Sequence, residues 1–344
     1  MPYFKPNKST ASGVRAWIGR WHRGGAKAPV LSGLIVLAAM LAAGVPAQAG
    51  YPERTITIIC ASGAGGAVDV TTRVVAEQLS RILGKPIVVQ NEPGAGSTIA
   101  IANASKAEAD GYTLLTVGSG VAVARELYPQ AHIDVLRDLV PVTMVGATPL
   151  VLFVNKTVPV KNYAELVVWL KAHPTEATTG SNGRGSAGHL SIELLNKMAG
   201  VNVRYIPYRT TPQAHTDLIA GRLTLMMTSS LGGAEKYEIT PLAVSSLERW
   251  KAMPELPTLD ELGLKGYEAA TWVTMMAPKG VPAEVIEAIT AAYDKALADP
   301  ALQKRFDDIG IIAPRKTGAT FAATYVANEI TKWTEILRNA PDPQ

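Results

Sequence analysis

Residues 180–189, GSNGRGSAGH, have the composition of a loop that could do chemistry. The loop contains four glycines, two serines, an asparagine, an arginine and a final histidine, and it leads into the helix-like sequence LSIELLNKMAG. Glycines let a backbone approach a ligand closely, and the free N–H groups at a helix N-terminus bind anions. Such a loop could therefore cradle a phosphate, present a nucleophilic serine, or bind an anionic solute without reacting with it.

The sequence lacks the motifs of the first two functions. Residues 63–68, GAGGAV, do not complete the dinucleotide fingerprint G-x-G-x-x-G, and no P-loop lysine follows them. A nucleophile elbow needs G-x-S-x-G, but Val117 stands two residues before Ser119, and Arg184 stands two residues before Ser186. Neither a dinucleotide or P-loop fingerprint nor a nucleophile elbow is therefore present, and no bound cofactor is predicted.

The histidines that follow residue 50 do not have the spacing of metal ligands. None of them belongs to an H-x-H or H-E-x-x-H pair, so no metal site is predicted. His189 follows the glycine-rich loop, where it could orient the loop through a hydrogen bond or act as a catalytic base, and the first interpretation is favoured. The single cysteine, Cys60, lies in the apolar run TITIICA and is expected to pack in a buried strand.

Arg184 is the candidate for charge recognition. An arginine among glycines and serines is either a solvated charge at a loop tip or a planar fork directed at a carboxylate, and our hypothesis is the fork. Two interpretations also stay open for three other residues. Asp69 could contact the solute or only cap a helix and so hold the shape of its loop. Tyr208 and Trp272 could be core aromatics or walls of a cleft.

Strands and helices alternate along the chain after residue 50. The sequence RTITIICASGAGGAVDVTTRVVAEQLSRILGKPIVVQNEPG indicates a strand, a glycine-rich turn, an amphipathic helix and a second strand. A similar rhythm follows in residues 154–270. This alternation predicts two α/β lobes, each a mostly parallel sheet flanked by helices. We assign residues 51–153 and 271–344 to the first lobe and residues 154–270 to the second.

Small, hydroxylated or glycine-rich segments follow the predicted strands. Ligands of open α/β sheets bind beyond the carboxyl ends of the strands, and most of these segments also precede helices. They therefore predict an anion site between the lobes. The segments are SGAGGAVD (62–69), GSG (118–120), GSNGRGS (180–186), RTTPQ (209–213) and TSS (228–230).

The first 49 residues have the features of a secretory signal peptide. They contain six basic and no acidic residues, an uncharged apolar run LIVLAAMLAA at 34–43, and then GVPAQAG. A basic region, an apolar core and a small-x-small site predict export, with cleavage between Ala49 and Gly50 and a periplasmic mature protein. The alternative is a retained membrane anchor, although the run is shorter than the roughly 20 residues that a span needs.

The formal net charge of +4 comes from this leader. Without it, 27 basic and 29 acidic residues remain, so the mature chain is slightly acidic. No basic stripe interleaved with aromatic residues occurs in it. We therefore predict no nucleic-acid partner, and we expect a monomer.

From Tyr51 to the C-terminus the chain resembles the substrate-binding proteins of tripartite tricarboxylate transporters, the TctC or Bug type. The resemblance implies a type II periplasmic-binding-protein-like clamp of two lobes, which holds a carboxylate with backbone amides and bridging waters. The matching segments occur in order over nearly the whole mature chain. They are YPERTITIICASGAGGAVDVTTRVVAEQLSRILGKPIVVQNEPGAGSTIA, DGYTLLTVGSG, GSNGRGSAGHLSIELLNKMAGVNVRYIPYRTTPQAHTDLIAGRLTLMM and MPELPTLDELGLKGYEAATWVTMMAPKGVPAEVI.

The resemblance also implies individual solute contacts. These are Gly65, Gly66, Asp69, Ser119, Ser181, Gly185, Ser186 and the turn after Tyr208. Together with the loops above, the candidate ligand-binding residues are Gly63, Ala64, Gly65, Gly66, Asp69, Gly118, Ser119, Ser181, Asn182, Arg184, Gly185, Ser186, Tyr208, Arg209, Thr210, Thr211, Gln213 and Ser229.

The chain departs from the family pattern in the predicted site. Ala64 stands where a proline is usual, Arg184 replaces a small or amide residue, and Arg209-Thr210 replaces a lysine-glycine pair. The segment from 228 to 241 is also short. These departures put the commoner solutes of the family in doubt. Because the backbone amides suffice for one carboxylate, Arg184 is free for a second, and we predict a dicarboxylate.

The sequence thus predicts a periplasmic, non-enzymatic protein that captures a small organic anion between two lobes. The resemblance implies that it delivers this solute to the membrane subunits of a tripartite tricarboxylate-type transporter. Two alternatives remain at this stage. One is a secreted α/β hydrolase-like enzyme, and the other is a ligand-sensing subunit of a signalling system.

Overall fold

The computed structural model describes residues 50–229 and 239–338. The predicted signal peptide, residues 1–49, and Ser230 of the TSS segment lie outside the described residues. Over the described ranges the chain forms ten β-strands and ten α-helices. None of the helices in these ranges combines the length and the apolar character that crossing a bilayer requires.

The first sheet contains five strands, which come from both ends of the described chain. They are β1 (Ile56–Cys60), β2 (Ile87–Asn91), β3 (Thr113–Val117), β4 (Leu139–Pro149) and β10 (Ala270–Pro278). Their order is β2-β1-β3-β10-β4. β1 pairs in parallel with β2 and β3, whereas β10 pairs antiparallel with β3 and β4. This sheet is the centre of the first lobe.

The second sheet repeats this plan with the middle of the chain. Its strands are β5 (Val151–Asn155), β6 (Thr178–Ser181), β7 (Arg204–Pro207), β8 (Leu225–Thr228) and β9 (Ile239–Val244). Their order is β7-β6-β8-β5-β9. β6 pairs in parallel with β7 and β8, and β5 pairs antiparallel with β8 and β9. This sheet is the centre of the second lobe.

Helices flank both sheets. They are α1 (Ala67–Leu83), α2 (Thr98–Ser105), α3 (Gly120–Leu127), α4 (Val135–Asp138), α5 (Tyr163–Ala172), α6 (Ala187–Ala199), α7 (Thr211–Ile219), α8 (Ala283–Leu297), α9 (Pro300–Asp308) and α10 (Ala319–Arg338). α1 packs against α8, and α10 packs against β4 and α3 and also reaches α6 of the second lobe.

Each sheet is mixed, where the sequence predicts mostly parallel sheets. The alternation of strands and helices accounts for the parallel half, because a strand–helix–strand unit returns the next strand in parallel. The antiparallel pairs are those of β10 and β5. These are the strands by which the chain enters the first sheet from the second and the second sheet from the first. β4 and β5 are separated only by Leu150, so the predicted lobe boundary between residues 153 and 154 falls inside β5, and the sheets change at Leu150. The rest of the lobe assignment remains a prediction.

Two residues of the first sheet, Cys60 and Trp272, lie in the buried core. Cys60 is fully buried at the end of β1, as predicted, and burial raises the pKa of its thiol. Trp272 is fully buried on β10, and its Nε1–H donates to Glu329 Oε2 at 2.8 Å. Trp272 is therefore a core aromatic and not a wall of the cleft.

The helices that face the predicted site begin earlier than their apolar periodicity indicates. The helix-like sequence starts at Leu190, but α6 begins at Ala187, because Ser186 is its N-cap and accepts the backbone N–H of His189. α7 begins at Thr211, directly within the RTTPQ segment, and has a proline in its first turn. Polar caps and proline set these helix starts, and apolar spacing does not register them.

Candidate solute-binding site

A cavity of about 710 Å³ lies where strand ends of the two sheets face each other. Its walls include the segments after β1 and β3 of the first sheet and after β6, β7 and β8 of the second. The carboxyl ends of these strands are where a ligand of an open α/β sheet is expected. Sites for small molecules are roughly 300–1,000 Å³ in size, so the cavity has suitable dimensions.

Most of the candidate residues line this cavity. Those that do are Gly63, Gly65, Gly66, Gly118, Ser119, Ser181, Asn182, Arg184, Ser186, Tyr208, Arg209, Thr211 and Ser229. The candidates that do not line it are Ala64, Asp69, Gly185, Thr210 and Gln213. Lining a cavity places a residue within reach of a solute, and the individual solute contacts stay predictions.

A buried carboxylate shapes the loop between β1 and α1. Asp69 is only 3% exposed, and its Oδ2 accepts the backbone N–H of Gly65 at 2.9 Å. Its Oδ1 accepts hydrogen bonds from Arg73 Nε at 2.9 Å and Asn91 Nδ2 at 2.7 Å. Burial by itself raises the pKa of Asp69, but these hydrogen bonds outweigh it and hold the pKa below its usual range. Asp69 therefore stabilises the loop from the side that faces away from the cavity.

The capping interpretation of Asp69 needs one correction. The N-cap of α1 is Gly66, which makes no side-chain capping bond, and Asp69 lies in the first turn of the helix. The carboxylate reaches back to Gly65, whose φ of 76° is the left-handed conformation that favours glycine. It holds the shape of the loop without occupying the cap position.

Residues at the N-termini of helices line the cavity from both lobes. The first N–H groups of a helix have no partner within the helix, and the helix dipole adds partial positive charge there. The cavity is therefore favourable for negative charge. The lining residues at helix starts are Gly66 (α1), Ser97 (α2), Ser119 (α3), Ser186 (α6) and Thr211 (α7).

Hydrogen bonds among hydroxyl groups fix the loop of the second lobe. Ser181 Oγ lies 2.6 Å from Ser186 Oγ and 2.9 Å from the hydroxyl of Tyr205. Burial raises the pKa of Tyr205 to about 12, so this phenol stays protonated. The two serines that the sequence singles out are thus bonded to each other and to a buried tyrosine.

His189 is a neutral structural residue below the same loop. Its Nδ1 accepts the backbone N–H of Gly185 at 3.1 Å, and its Nε2 lies 3.7 Å from Glu193 Oε1. Burial and the nearby positive charge of Arg184 lower the pKa of His189 to about 4. This geometry agrees with the interpretation that His189 orients the loop.

Arg184 lines the cavity, and its Nε is buried without a hydrogen-bond partner. A solvated loop tip would leave this nitrogen in contact with water. Burial raises the pKa values of Tyr128 and Glu193, and the positive charge of Arg184 opposes both shifts. The guanidinium is thus close to Tyr128 of the first lobe and Glu193 of the second. It forms no ion pair with any residue in the described part of the chain.

The other charged lining residues add to this pattern. Arg209 is exposed, whereas Asp308 is paired with Lys304 at 2.8 Å. Burial lowers the pKa of His215, whose Nε2 lies 3.4 Å from Thr228 Oγ1. The lining therefore holds two arginines against one paired aspartate. No cluster of histidine, cysteine or acidic residues suited to a metal ion occurs in residues 50–229 and 239–338.

The two lobes touch each other at the cavity. Ser119 Oγ donates to the carbonyl of Gly185 at 3.4 Å, and Ser229 Oγ lies 3.3 Å from Thr271 Oγ1. Gly185 packs closely against the first lobe, since a Cβ added there would lie 2.9 Å from Val123 Cγ2. Small residues at this contact let the lobes approach, and we call this arrangement, with the lobes in contact at the cavity, the closed clamp.

One loop and several isolated residues of the cavity wall were not predicted from the sequence. The turn after β2 lines the cavity through residues 93–97, and Ala95 and Ser97 have φ values of 43° and 77°. The signal was present, because this segment is glycine-rich, follows a strand and precedes a helix like the others. Thr148, His215 and Thr271 also line the cavity, but no local pattern distinguishes such single positions within strands and helices.

The comparison with known families decides the assignment. The model of the tripartite tricarboxylate transporter family receptor matches residues 71–341. The chain belongs to this family of receptors. The match spans strands of both sheets and the loops at Ser119 and Arg184, so it includes most of the cavity wall.

Individual receptors are similar to this chain in sequence and in structure. The chain is 35% identical to protein BugT of Bordetella pertussis over 315 residues, which are 89% of this chain and 95% of BugT. Rpa4515 of R. palustris, solved with adipate, is 31% identical with a TM-score of 0.79 over 84% of this chain and 98% of its own. MatC (Rpa3494) of Rhodopseudomonas palustris, solved with bound malate, is 27% identical with a TM-score of 0.75 over 83% and 99%.

These similarities confirm two predictions. The receptor has the two-lobed α/β fold of periplasmic binding proteins. Its family function is solute binding, which favours this prediction over a secreted hydrolase or a sensor subunit.

Proposed function

We propose that this receptor captures a small dicarboxylate between its lobes and delivers it to the membrane subunits of a tripartite tricarboxylate-type transporter. The observation that carries the proposal is Arg184, which lines the cavity with a buried, unpartnered Nε. An unpaired buried polar group is costly, and more so when it is charged. A carboxylate matches the planar fork of a guanidinium with two parallel hydrogen bonds.

A second carboxylate has a separate place in the same cavity. Gly66 and Ser119 are the N-cap residues of α1 and α3 in the first lobe. The N–H of Gly66 itself donates to the carbonyl of Gly63 at 3.2 Å, so the N–H groups of the first turn after it would bind the anion. Arg184 belongs to the second lobe. A solute with two acidic groups would therefore be held from both lobes, and each group would be neutralised by a different lobe. Such bridging stabilises the closed clamp.

The neighbours with known ligands support this solute class. Adipate and malate, found with Rpa4515 and MatC respectively, are both dicarboxylates. They differ in chain length and in hydroxylation, so they support two acidic groups without defining what joins them.

The family and the leader both support a periplasmic setting. Receptors of this family serve a membrane transporter, and BugD, a structural neighbour, is a periplasmic binding protein. Residues 1–49 have the composition of an export signal. We therefore place the mature receptor in the periplasm as a non-enzymatic carrier.

Native mass spectrometry and calorimetry test the proposal together. Mass spectrometry of receptor purified from the periplasm without refolding should reveal a retained dicarboxylate. Calorimetry should then compare adipate with hexanoate, a matched pair that differs by one carboxylate. We expect adipate, or the retained acid, to bind roughly 30-fold or more tightly than its monocarboxylate partner. Equal affinities would contradict a two-carboxylate site, and turnover of carboxylate esters would contradict a carrier without activity.

A further inference from the structure

The two connections between the sheets meet at one buried serine. The chain passes from the first sheet to the second at Leu150, between β4 and β5. It returns in the segment that begins with Ser245, directly after β9, and ends with Ala269, directly before β10. Ser245 has an exposed fraction of 0%. The three residues mark the points where the chain leaves or enters a sheet.

Ser245 joins these points through its backbone. Its N–H donates to the carbonyl of Leu150 at 2.9 Å, and its carbonyl accepts the N–H of Ala269 at 3.1 Å. The outgoing and returning connections therefore lie side by side and are joined by backbone hydrogen bonds. A change in the angle between the lobes has to pass through this junction or bend the chain next to it.

The hydroxyl of Ser245 makes a second, parallel link. Its Oγ accepts the N–H of Leu150 at 2.8 Å and donates to the carbonyl of Ala269 at 2.5 Å. One side chain thus satisfies a buried donor on the first connection and a buried acceptor on the second. Without the hydroxyl, both backbone groups would be buried without this partner, which is costly wherever water cannot reach them.

The junction also borders the cavity. Leu150 itself lines the cavity, as do Thr148 and Thr271, which lie two residues from Leu150 and Ala269 respectively. Hinges between domains are usually a few residues at the ends of elements that absorb the change in backbone angles. The position of Ser245 fits such a hinge at the base of the site.

We propose that Ser245 is a positioning residue for solute binding. Its hydroxyl holds the two connections in the arrangement of the closed clamp, where all four hydrogen bonds are made, and so sets the fraction of receptor that is ready to bind. A smaller ready fraction weakens the apparent affinity in proportion. The proposal rests on the proposed function, because it requires that solute binds the closed form.

The first measurement does not need a solute. Spin labels on Lys106→Cys in the first lobe and Lys171→Cys in the second, both exposed positions, report the distance between lobes by pulsed electron paramagnetic resonance. A Cys60→Ala background removes the native thiol. We expect Ser245→Ala to shift the solute-free distances toward longer and broader values than those of the receptor with Ser245. Unchanged distances would overturn the proposal.

The second measurement uses adipate as the probe. A buried hydrogen bond that is lost from the closed form but not from the open form lowers the affinity. We therefore expect Ser245→Ala to bind adipate about 5- to 30-fold more weakly. Ser245→Cys keeps a weak donor, so its adipate affinity should lie between those of the receptor with Ser245 and of Ser245→Ala. It replaces the alanine variant if that variant does not fold. If the receptor with Ser245 fails to bind adipate, adipate is not its solute and the dicarboxylate retained through purification takes its place as the probe, while the distances still decide the role of Ser245.

Thr274→Val is the matched control. Thr274 is also 0% exposed, but its hydroxyl donates to the carbonyl of Thr143 at 3.1 Å inside the first sheet. This variant should lower the unfolding midpoint and leave the lobe distances and the adipate affinity unchanged. A Ser245→Ala receptor that behaves in the same way would show that Ser245 is only a core residue.

Discussion

The Nδ1 atom of His189 accepts the backbone N–H of Gly185 at 3.1 Å, and this bond ties the first turn of α6 to the loop that carries Arg184. An acceptor Nδ1 requires a neutral ring with its proton on Nε2. The lowered pKa of His189, about 4, agrees with this form. The imidazole is therefore a fixed part of the loop at neutral pH.

The first prediction concerns acid stability. The unfolded chain protonates His189 below pH 6.5, whereas the folded protein does so only near pH 4. The contribution of His189 is therefore complete above pH 6.5 and is lost as the pH falls toward 4, by up to about 3 kcal/mol. Unfolding by urea at pH 7, 5.5 and 4.5 measures the loss.

The variant His189→Gln provides the comparison for this titration. Its side-chain carbonyl can accept the N–H of Gly185, but it does not titrate. We expect a shallower loss of stability between pH 6.5 and 4, with a residual slope from His215, whose pKa is also lowered by burial. Identical slopes for the two proteins would show that His189 does not carry the effect.

The second prediction concerns the support of the first loop. Asp69→Asn keeps the shape of the side chain and removes the charge that pairs with Arg73 and accepts the N–H of Gly65. We expect the free energy of unfolding to fall by about 1–3 kcal/mol, and solute binding to weaken because the loop loses its fixed shape. Glu77→Gln is the control, since its pairs with Arg81 and Arg305 are exposed. That change should cost less than about 1 kcal/mol and leave binding intact.

The third prediction concerns the charge of Arg184. Arg184→Ala should weaken the binding of a dicarboxylate by roughly 30-fold or more. It should weaken the binding of the matched monocarboxylate much less, because only the second acidic group loses its partner. Arg184→Lys should recover part of the affinity, since it keeps the charge but loses the bidentate fork. Calorimetry with both ligands measures each variant. An alanine variant that binds the dicarboxylate as well as the arginine form would remove the main support for the proposed solute.

The fourth prediction separates lobe contact from backbone strain. Gly185 and Gly183 both have left-handed φ angles, 84° and 112°. A Cβ at Gly185 would lie 2.9 Å from Val123 of the first lobe, whereas a Cβ at Gly183 meets nothing within 4 Å. Both alanine variants should lose similar stability, but only Gly185→Ala should hinder closure and weaken binding. Equal binding by the two variants, measured by calorimetry, would argue against this contact as part of the closed clamp.

The fifth prediction concerns the leader. Export and cleavage should leave a mature N-terminus at Gly50 or within a residue or two of it. Amino-terminal sequencing of the periplasmic fraction identifies the terminus. Recovery of the uncleaved chain in the membrane fraction would favour the anchor instead.

Local patterns in the sequence determined much of this protein. Helix spacing and glycine-rich turns predicted the parallel half of each sheet, because a strand–helix–strand unit is set by residues close together in the chain. The same logic located the loops at Ser119, Ser186 and Thr211, all of which line the cavity. The motif segments also identified the family correctly.

Other features depend on residues that are distant in sequence, and only the tertiary structure decided them. β5 joins the second sheet because β8 and β9 pair with it, which its apolar run alone does not indicate. Asp69 turns away from the cavity because Arg73, Asn91 and the N–H of Gly65 bind its oxygens. Ser245 has no local motif and becomes distinctive only because its hydroxyl lies between Leu150 and Ala269. Each of these features depends on contact partners that only folding brings together. The spacing of residues along the chain therefore does not predict them.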